Sequence, residues 1–204
     1  QFTVILDFMV MAPLGAMLIP ALRITPEQFS HAVMGYAIAA GISGLLAAGF
    51  ADRYDRKKLL LFFYTGFMIG TLFCGIAPTY GTLLAARVLT GIFGGVIGSV
   101  SMAIITDVFV PQVRGRVMGF VQMAFAVSQV AGIPIGIFLA NRFDWHAPFL
   151  LIVGFGVVAG GLILSYMRPV TEHLKLQRDV TAVQHLVNTF FDRRHAMAFL
   201  TMMI

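Results

Sequence analysis

The sequence predicts an all-α, polytopic membrane protein of six transmembrane helices, and three observations predict it. The 204 residues are 59% apolar and 11% charged with a mean hydropathy of +0.89, which excludes a water-soluble globular domain. Five stretches, 29–51, 59–77, 88–106, 117–140 and 147–167, carry no Asp, Glu, Lys or Arg, and Phe2–Leu22 makes a sixth once one acid, Asp7, is admitted. Each crosses about 30 Å of hydrocarbon as a helix rising 1.5 Å per residue. Finally, the basic residues segregate. If the spans alternate, Arg53, Arg56, Lys57, Lys58, Arg114, Arg116, Arg168, Lys175, Arg178, Arg193 and Arg194 fall on one side, and only Arg23 and Arg142 on the other. The positive-inside rule makes the first side cytoplasmic, so the N-terminus is expected inside a cell membrane, the inner membrane if the source is a Gram-negative bacterium.

Taken in order, the first span begins at Gln1 with no basic segment or small-residue cleavage site, and reads as a trimmed helix, not a signal peptide. Thr25-Pro26-Glu27-Gln28 starts the second helix: a hydroxyl N-cap, proline at the first helical position and a capping-box Gln. Pro78-Thr79-Tyr80 joins spans three and four so tightly that they must pack antiparallel. In span four Gly91, Gly94, Gly95 and Gly98 form a ridge for close helix approach in lipid. The bundle is expected over 1–167. Across 168–195, Leu176, Val180, Val183, Val187 and Phe190 recur at helical spacing, the pattern of a linker helix at the cytoplasmic surface. Residues 196–204 read as the start of a seventh span, so the chain is expected to be part of something larger.

Several chemistries have no support in the residues. A lone Cys74 leaves no disulfide framework or cysteine metal site, and His31, His146, His173, His185 and His195 show no nucleophile–base or metal spacing. Gly154-Phe155-Gly156 lies in an apolar helix and follows no strand, so it is not a dinucleotide turn. No enzyme, metal, cofactor or nucleic-acid partner is expected. The expected surroundings are lipid, a small-molecule substrate and protons.

Two intramembrane charges, Asp7 and Arg87, each cost about 2.5 to 3.5 kcal/mol on insertion scales and so require a partner or a role. On a helical wheel Arg87 lies within about 40° of Gly91, Gly94 and Gly98, pointing into the bundle. Measured from the helix ends, Asp7 lies about 22 Å deep and Arg87 about 10 Å, so tilt, water or a polar intermediary is expected between them. Gln129, at about 16 Å, is the candidate intermediary and shares a face with Gln122. Phe8, Met11, Met17, Tyr36, Gln122 and Gln129 are the expected wall of a substrate cavity for an amphiphilic or weakly polar molecule. Asp7 is the expected proton carrier.

A family comes into view at Gly49-Phe50-Ala51-Asp52-Arg53-Tyr54-Asp55-Arg56-Lys57-Lys58, which resembles the loop signature of the major facilitator superfamily, G-x-x-x-D-R-x-G-R-[RK]. Ala48 and Asp55 stand where that pattern has glycine, and Asp55 is expected to tolerate a left-handed turn. Arg87 with Gly91 and Gly95 resembles the family's helix-four motif R-x-x-x-G-x-x-x-G, which implies a part for Arg87 in proton coupling. Asp107, Pro111, Arg114 and Gly115 resemble its D-x-x-x-P-x-x-R-G exit from that helix. Gly132, Pro134 and Gly136, with Asp144-Trp145-His146 and Phe149, are similar to stretches of bacterial drug and sugar efflux members.

The resemblance implies two three-helix repeats, helices one and four beside a central cavity, and a second six-helix half. It also implies a conformational latch of Asp52, Arg53, Arg56, Lys57, Asp107 and Arg114, with Arg56 paired to Asp107. Proton-coupled efflux of a drug-like or sugar-like compound is the expected function. A nutrient uniporter or proton symporter, and a half-size scaffold without transport, are the alternatives.

Overall fold

The computed structural model describes residues 1–171, which are helical apart from short connections. The linker helix expected over 168–195 and the seventh span expected from 196 therefore lie, but for 168–171, outside the described residues. The helices are α1 (Phe2–Leu22), α2 (Pro26–Phe50), α3 (Arg56–Gly75), α4 (Tyr80–Val108), α5 (Pro111–Val127), α6 (Ile133–Arg142) and α7 (Ala147–Tyr166). A π turn, Ser128–Gly132, joins α5 to α6, and the three run on as one 32-residue span, so among the described residues six segments are long and apolar enough to cross a membrane. The protein is a multi-pass membrane protein.

Chain chemistry sets the ends. Thr25 and Gln28 form the expected capping box: Gln28 N–H donates to Thr25 Oγ1 at 3.2 Å, and Thr25 N–H to Gln28 Oε1 at 3.0 Å. A second box, Thr79 with Thr82, opens α4 and was not foreseen, because Thr replaces the usual Glu or Gln at its third position. α1 ends where Arg23 turns left-handed (φ 51°, ψ 46°) and returns its N–H to Ile19 and Pro20 carbonyls. The π turn stands just before Pro134, whose missing N–H leaves the preceding turn free to widen.

Small residues set the register between helices, as expected where lipid removes any hydrophobic drive for association. α2 and α4 run parallel: a Cβ on Gly91 would overlap the Tyr36 carbonyl, and four residues on, one on Gly95 would overlap that of Ala40. α1 and the fifth span also run parallel, Gly132 against Leu6 and Gly136 against Val10. α3 and α7 are antiparallel, Gly75 facing Phe149, Gly156 facing Met68 and Gly160 facing Tyr64. Gly98 departs from the expected ridge, since nothing lies within 4 Å of a Cβ there.

These pairings have an internal symmetry. Exchanging α1–α3 for α4–α7 maps the α2–α4 contact onto that of the fifth span with α1, and maps α3–α7 onto itself. Because each repeat holds three spans, the two run through the bundle with opposite sense, the inverted arrangement common in transporters. Apolar side chains gather in two clusters, one containing Leu6, Met11, Leu83 and Phe149, the other Val4, Phe63, Phe67 and Val100. Asp7 follows Val4 and precedes Met11 on the buried stripe of α1, so it sits at the junction of the two.

Candidate functional site: a buried ion pair and a charged turn

At that junction Arg87 Nη1 donates to Asp7 Oδ2 at 2.7 Å, and neither side chain has any exposed surface. Thr71 of α3 donates to the other carboxylate oxygen at 3.4 Å. The Tyr36 ring covers the guanidinium, its centroid 4.5 Å from Cζ, close enough for a cation–π contact. Phe8 stacks on Tyr36 with centroids 5.4 Å apart. Tyr36 reaches this place because Gly91 and Gly94 leave α4 without side chains there. Thr90 spends its hydroxyl on the Ala86 carbonyl and lies 3.6 Å from Cys74 Sγ. Arg87 Nε and Nη2 are buried and find no acceptor among the described residues.

Of the three alternatives expected, tilt, water or a polar intermediary, the direct contact leaves neither water nor a polar side chain between the two charges. Depth counted from helix ends assumes that the ends are level, and they are not. Phe29, in the first turn of α2, lies against Gly15 of α1, seven residues before that helix ends. The outer turns of α1 thus stand beyond the start of α2, which lessens the difference in depth between Asp7 and Arg87. Gln129 is exposed, and its neighbour Ser128 is the residue that faces α1, approaching the Phe2 carbonyl at 3.5 Å.

The six expected cavity residues divide. Phe8, 36% exposed, and Tyr36 join Arg87. Met11 is wholly buried in the core cluster, because it falls on the same α1 stripe as Val10 and Leu14. Met17 packs half-buried against that cluster, and Gln122 and Gln129 are exposed on the fifth span. A cleft of about 530 Å³ opens elsewhere, between the start of α1, α4 and α5, with Phe2, Ile104, Ile105, Phe120, Met123 and Val127 in its wall. The sequence signal for it is the helical spacing of Phe120, Met123 and Val127, which reads equally well as a lipid-facing stripe.

The second charged group lies where α2, α3, α4 and α7 end together. Arg56, its side chain 5% exposed, donates from Nη2 to Asp52 Oδ1 at 2.7 Å and from Nε to Asp107 Oδ2 at 3.0 Å. The pairing with Asp107 is the one the resemblance implied. Lys57 Nζ donates to the Leu164 carbonyl at 2.9 Å, one of the last carbonyls of α7. Arg114 donates to the Thr106 and Phe109 carbonyls at 2.6 and 2.8 Å and so closes the end of α4. Arg53 is exposed. Asp55 differs from expectation: its φ of −56° and ψ of 121° are not left-handed, and it serves as the N-cap of α3, accepting the Lys57 N–H at 2.9 Å.

Comparison with known proteins agrees with this architecture. The family model described as Major Facilitator Superfamily matches residues 1–204. Multidrug resistance protein 3 of Bacillus subtilis (strain 168) is 30% identical over 169 residues, 81% of this chain and 33% of that protein. Methylenomycin A resistance protein of Streptomyces coelicolor is 29% identical over 162 residues, 79% of this chain and 34% of that protein. A crystal structure of a D-xylose-proton symporter shares the fold with a TM-score of 0.64 at 17% identity, covering 94% of this chain and 51% of that one. This chain therefore spans about a third of the length of those sequence relatives and half that of the solved structure. An inverted-repeat helical bundle, a family match over every residue and relatives of this kind lead to one conclusion: the chain belongs to the major facilitator superfamily.

Proposed function

We propose that the intact protein is a secondary transporter that exports an amphiphilic, drug-like small molecule in exchange for protons, by alternating access between this bundle and a second one. The observation that carries the reading is the buried Asp7–Arg87 pair with two guanidinium nitrogens, Nε and Nη2, left without acceptors among the described residues. Paired, the carboxylate satisfies part of Arg87's demand for charge. Once Asp7 takes a proton the site carries the uncompensated charge of Arg87, which disfavours a cationic amphiphile, whereas the ionised pair is neutral overall and leaves the unused Arg87 donors to an acceptor on it. Proton and substrate would then occupy the site in turn, which is the condition for exchange. Phe8 and Tyr36 add an aromatic surface at the edge of the pair, and a drug-like substrate fits the two resistance proteins among the relatives.

In the same reading the 51–58 turn is cytoplasmic and acts as a latch. Arg56 holds Asp52 and Asp107 together in one conformer, while exposed Asp52 would meet a helix N-terminus of the second bundle. A few kcal/mol separate such conformers, so one or two ion pairs bias them. The test is flux of a fluorescent lipophilic cation in vesicles containing the intact protein under an imposed pH gradient. Export driven by inward proton flow is expected. Loss of the gradient's effect in Asp7→Asn supports the proton role, whereas full gradient-driven flux by that variant removes it. Co-directional movement of probe and protons would replace exchange by symport.

A further inference from the structure

The turn that carries the latch is also tied to the end of the sixth span, and the tie runs through the one residue of the turn that departs from the family's pattern. Val170, four residues beyond α7, donates its N–H to Asp55 Oδ1 at 3.2 Å and accepts the Arg56 N–H on its carbonyl at 3.3 Å. The same Asp55 oxygen accepts the Lys57 N–H, and Lys57 Nζ reaches back to Leu164. Residues 55–57 thus hold the segment 164–170 by three hydrogen bonds, two of them on the Asp55–Arg56 side of the turn. Arg56 is also the residue whose guanidinium joins Asp52 to Asp107. A glycine at 55 would supply no acceptor for Val170.

We propose that Asp55 is a positioning residue that couples the segment leaving α7 to the Arg56 latch, so that release of residues 167–170 and opening of the Asp52–Arg56–Asp107 cluster occur together. This rests on the latch reading above. The physical argument is one of shared atoms. Arg56 cannot swing away from Asp107 by moving its backbone without breaking its N–H bond to Val170, and Val170 cannot leave without releasing the carboxylate that caps α3. Whatever displaces the exit segment therefore loosens the start of α3 and, with it, the geometry of the ion cluster.

Hydrogen exchange and transport together test it in the intact protein. Asp55→Gly removes the acceptor at backbone angles open to any residue. Val170→Pro removes the donor from the opposite side. Asp55→Asn keeps a side-chain oxygen and should restore both readouts. Each of the first two changes is expected to speed amide exchange at Met167 and Arg168 by about fivefold, and at Arg56 with it; Lys57 should follow in Val170→Pro, where its own acceptor on Asp55 is intact. Their combination should add little beyond either alone. Maximal transport rate should fall about threefold with KM unchanged, since a conformational step and not binding is altered.

Faster exchange at Met167 and Arg168 with wild-type exchange at Arg56 and wild-type rate would overturn the coupling, as would unchanged exchange at Arg56 in Asp55→Gly. If Val170→Pro does not fold, Asp55→Gly and Asp55→Asn decide alone. Absence of transport by the wild-type protein would count against the transporter reading, while the exchange data would still decide whether the two segments move together.

Discussion

Asp7 and Arg87 illustrate what a single residue type reveals and what it conceals. A charge in hydrocarbon announces itself by its cost, and the glycines at three- and four-residue spacing tell which way Arg87 points. The height of one helix against another is not written in either residue. Part of it follows from Phe29 meeting Gly15, a contact between residues of two different helices, and this is why tilt, water or a polar intermediary was expected where a 2.7 Å bond stands. The same limit sent Met11 to a cavity: its helix face was legible, but not which neighbour that face meets. For a buried pair, removing one member leaves an uncompensated charge, so Asp7→Asn should destabilise the intact protein by about 3 to 5 kcal/mol. Replacing both, as Asp7→Leu with Arg87→Met, should recover most of that loss and none of the response to a pH gradient. Thermal unfolding in detergent with parallel flux measurements checks both parts. A double variant as unstable as the single would mean that the pair's neighbours, not its charge balance, set the cost.

At the level of helices, span number was readable because each span is a run of some twenty residues. The capping box at Thr25 was readable because it depends on four. The π turn at Ser128–Gly132 was not, since its cause is spread between Pro134 and the contacts of Gly132 and Gly136 with α1. The glycine ridge of α4 was half readable. Gly91 and Gly95 meet backbone of α2, whereas a Cβ on Gly98 would meet nothing within 4 Å, although all three lie within a narrow sector. The close approach of α2 and α4 thus does not extend to Gly98. Gly95→Ala should force the helices apart at the Ala40 carbonyl and cost about 1 to 3 kcal/mol, the usual range for overpacking. Gly98→Ala should fall within about 0.5 kcal/mol of wild type, as unconstrained sites do. Melting of the two variants side by side makes the comparison, and equal losses would show that α4 contacts α2 along its whole length.

The arrangement of the entire bundle follows from repeating one three-helix unit with its direction reversed. That symmetry places the Asp7–Arg87 pair between α1 and α4, the first helix of each unit, and brings the ends of α2, α3, α4 and α7 together around Arg56. The turn's composition was legible and so was its pairing with Asp107, because the resemblance carried both. Its link to Val170 was not, because it depends on Asp55, a departure from the pattern that supplied the reading. Asp52 is mostly exposed, so Asp52→Asn should leave expression unchanged and lower flux; unaltered flux in vesicles would remove the latch. Orientation is a property of the assembled bundle alone, since it rests on the balance of charge between its two ends. Gln112, exposed near the Arg56 end, and Gly81, where an added Cβ meets nothing, are uncharged positions at opposite ends of the bundle. A cysteine at 112 should react with a membrane-impermeant maleimide only when the cytoplasmic face is opened to it, and a cysteine at 81 only from outside. Native Cys74, fully buried beside Thr90, should stay unlabelled in both, which keeps each readout specific to the introduced thiol. The opposite pattern would place the basic turn outside, and with it would reverse the direction in which protons and substrate are proposed to move.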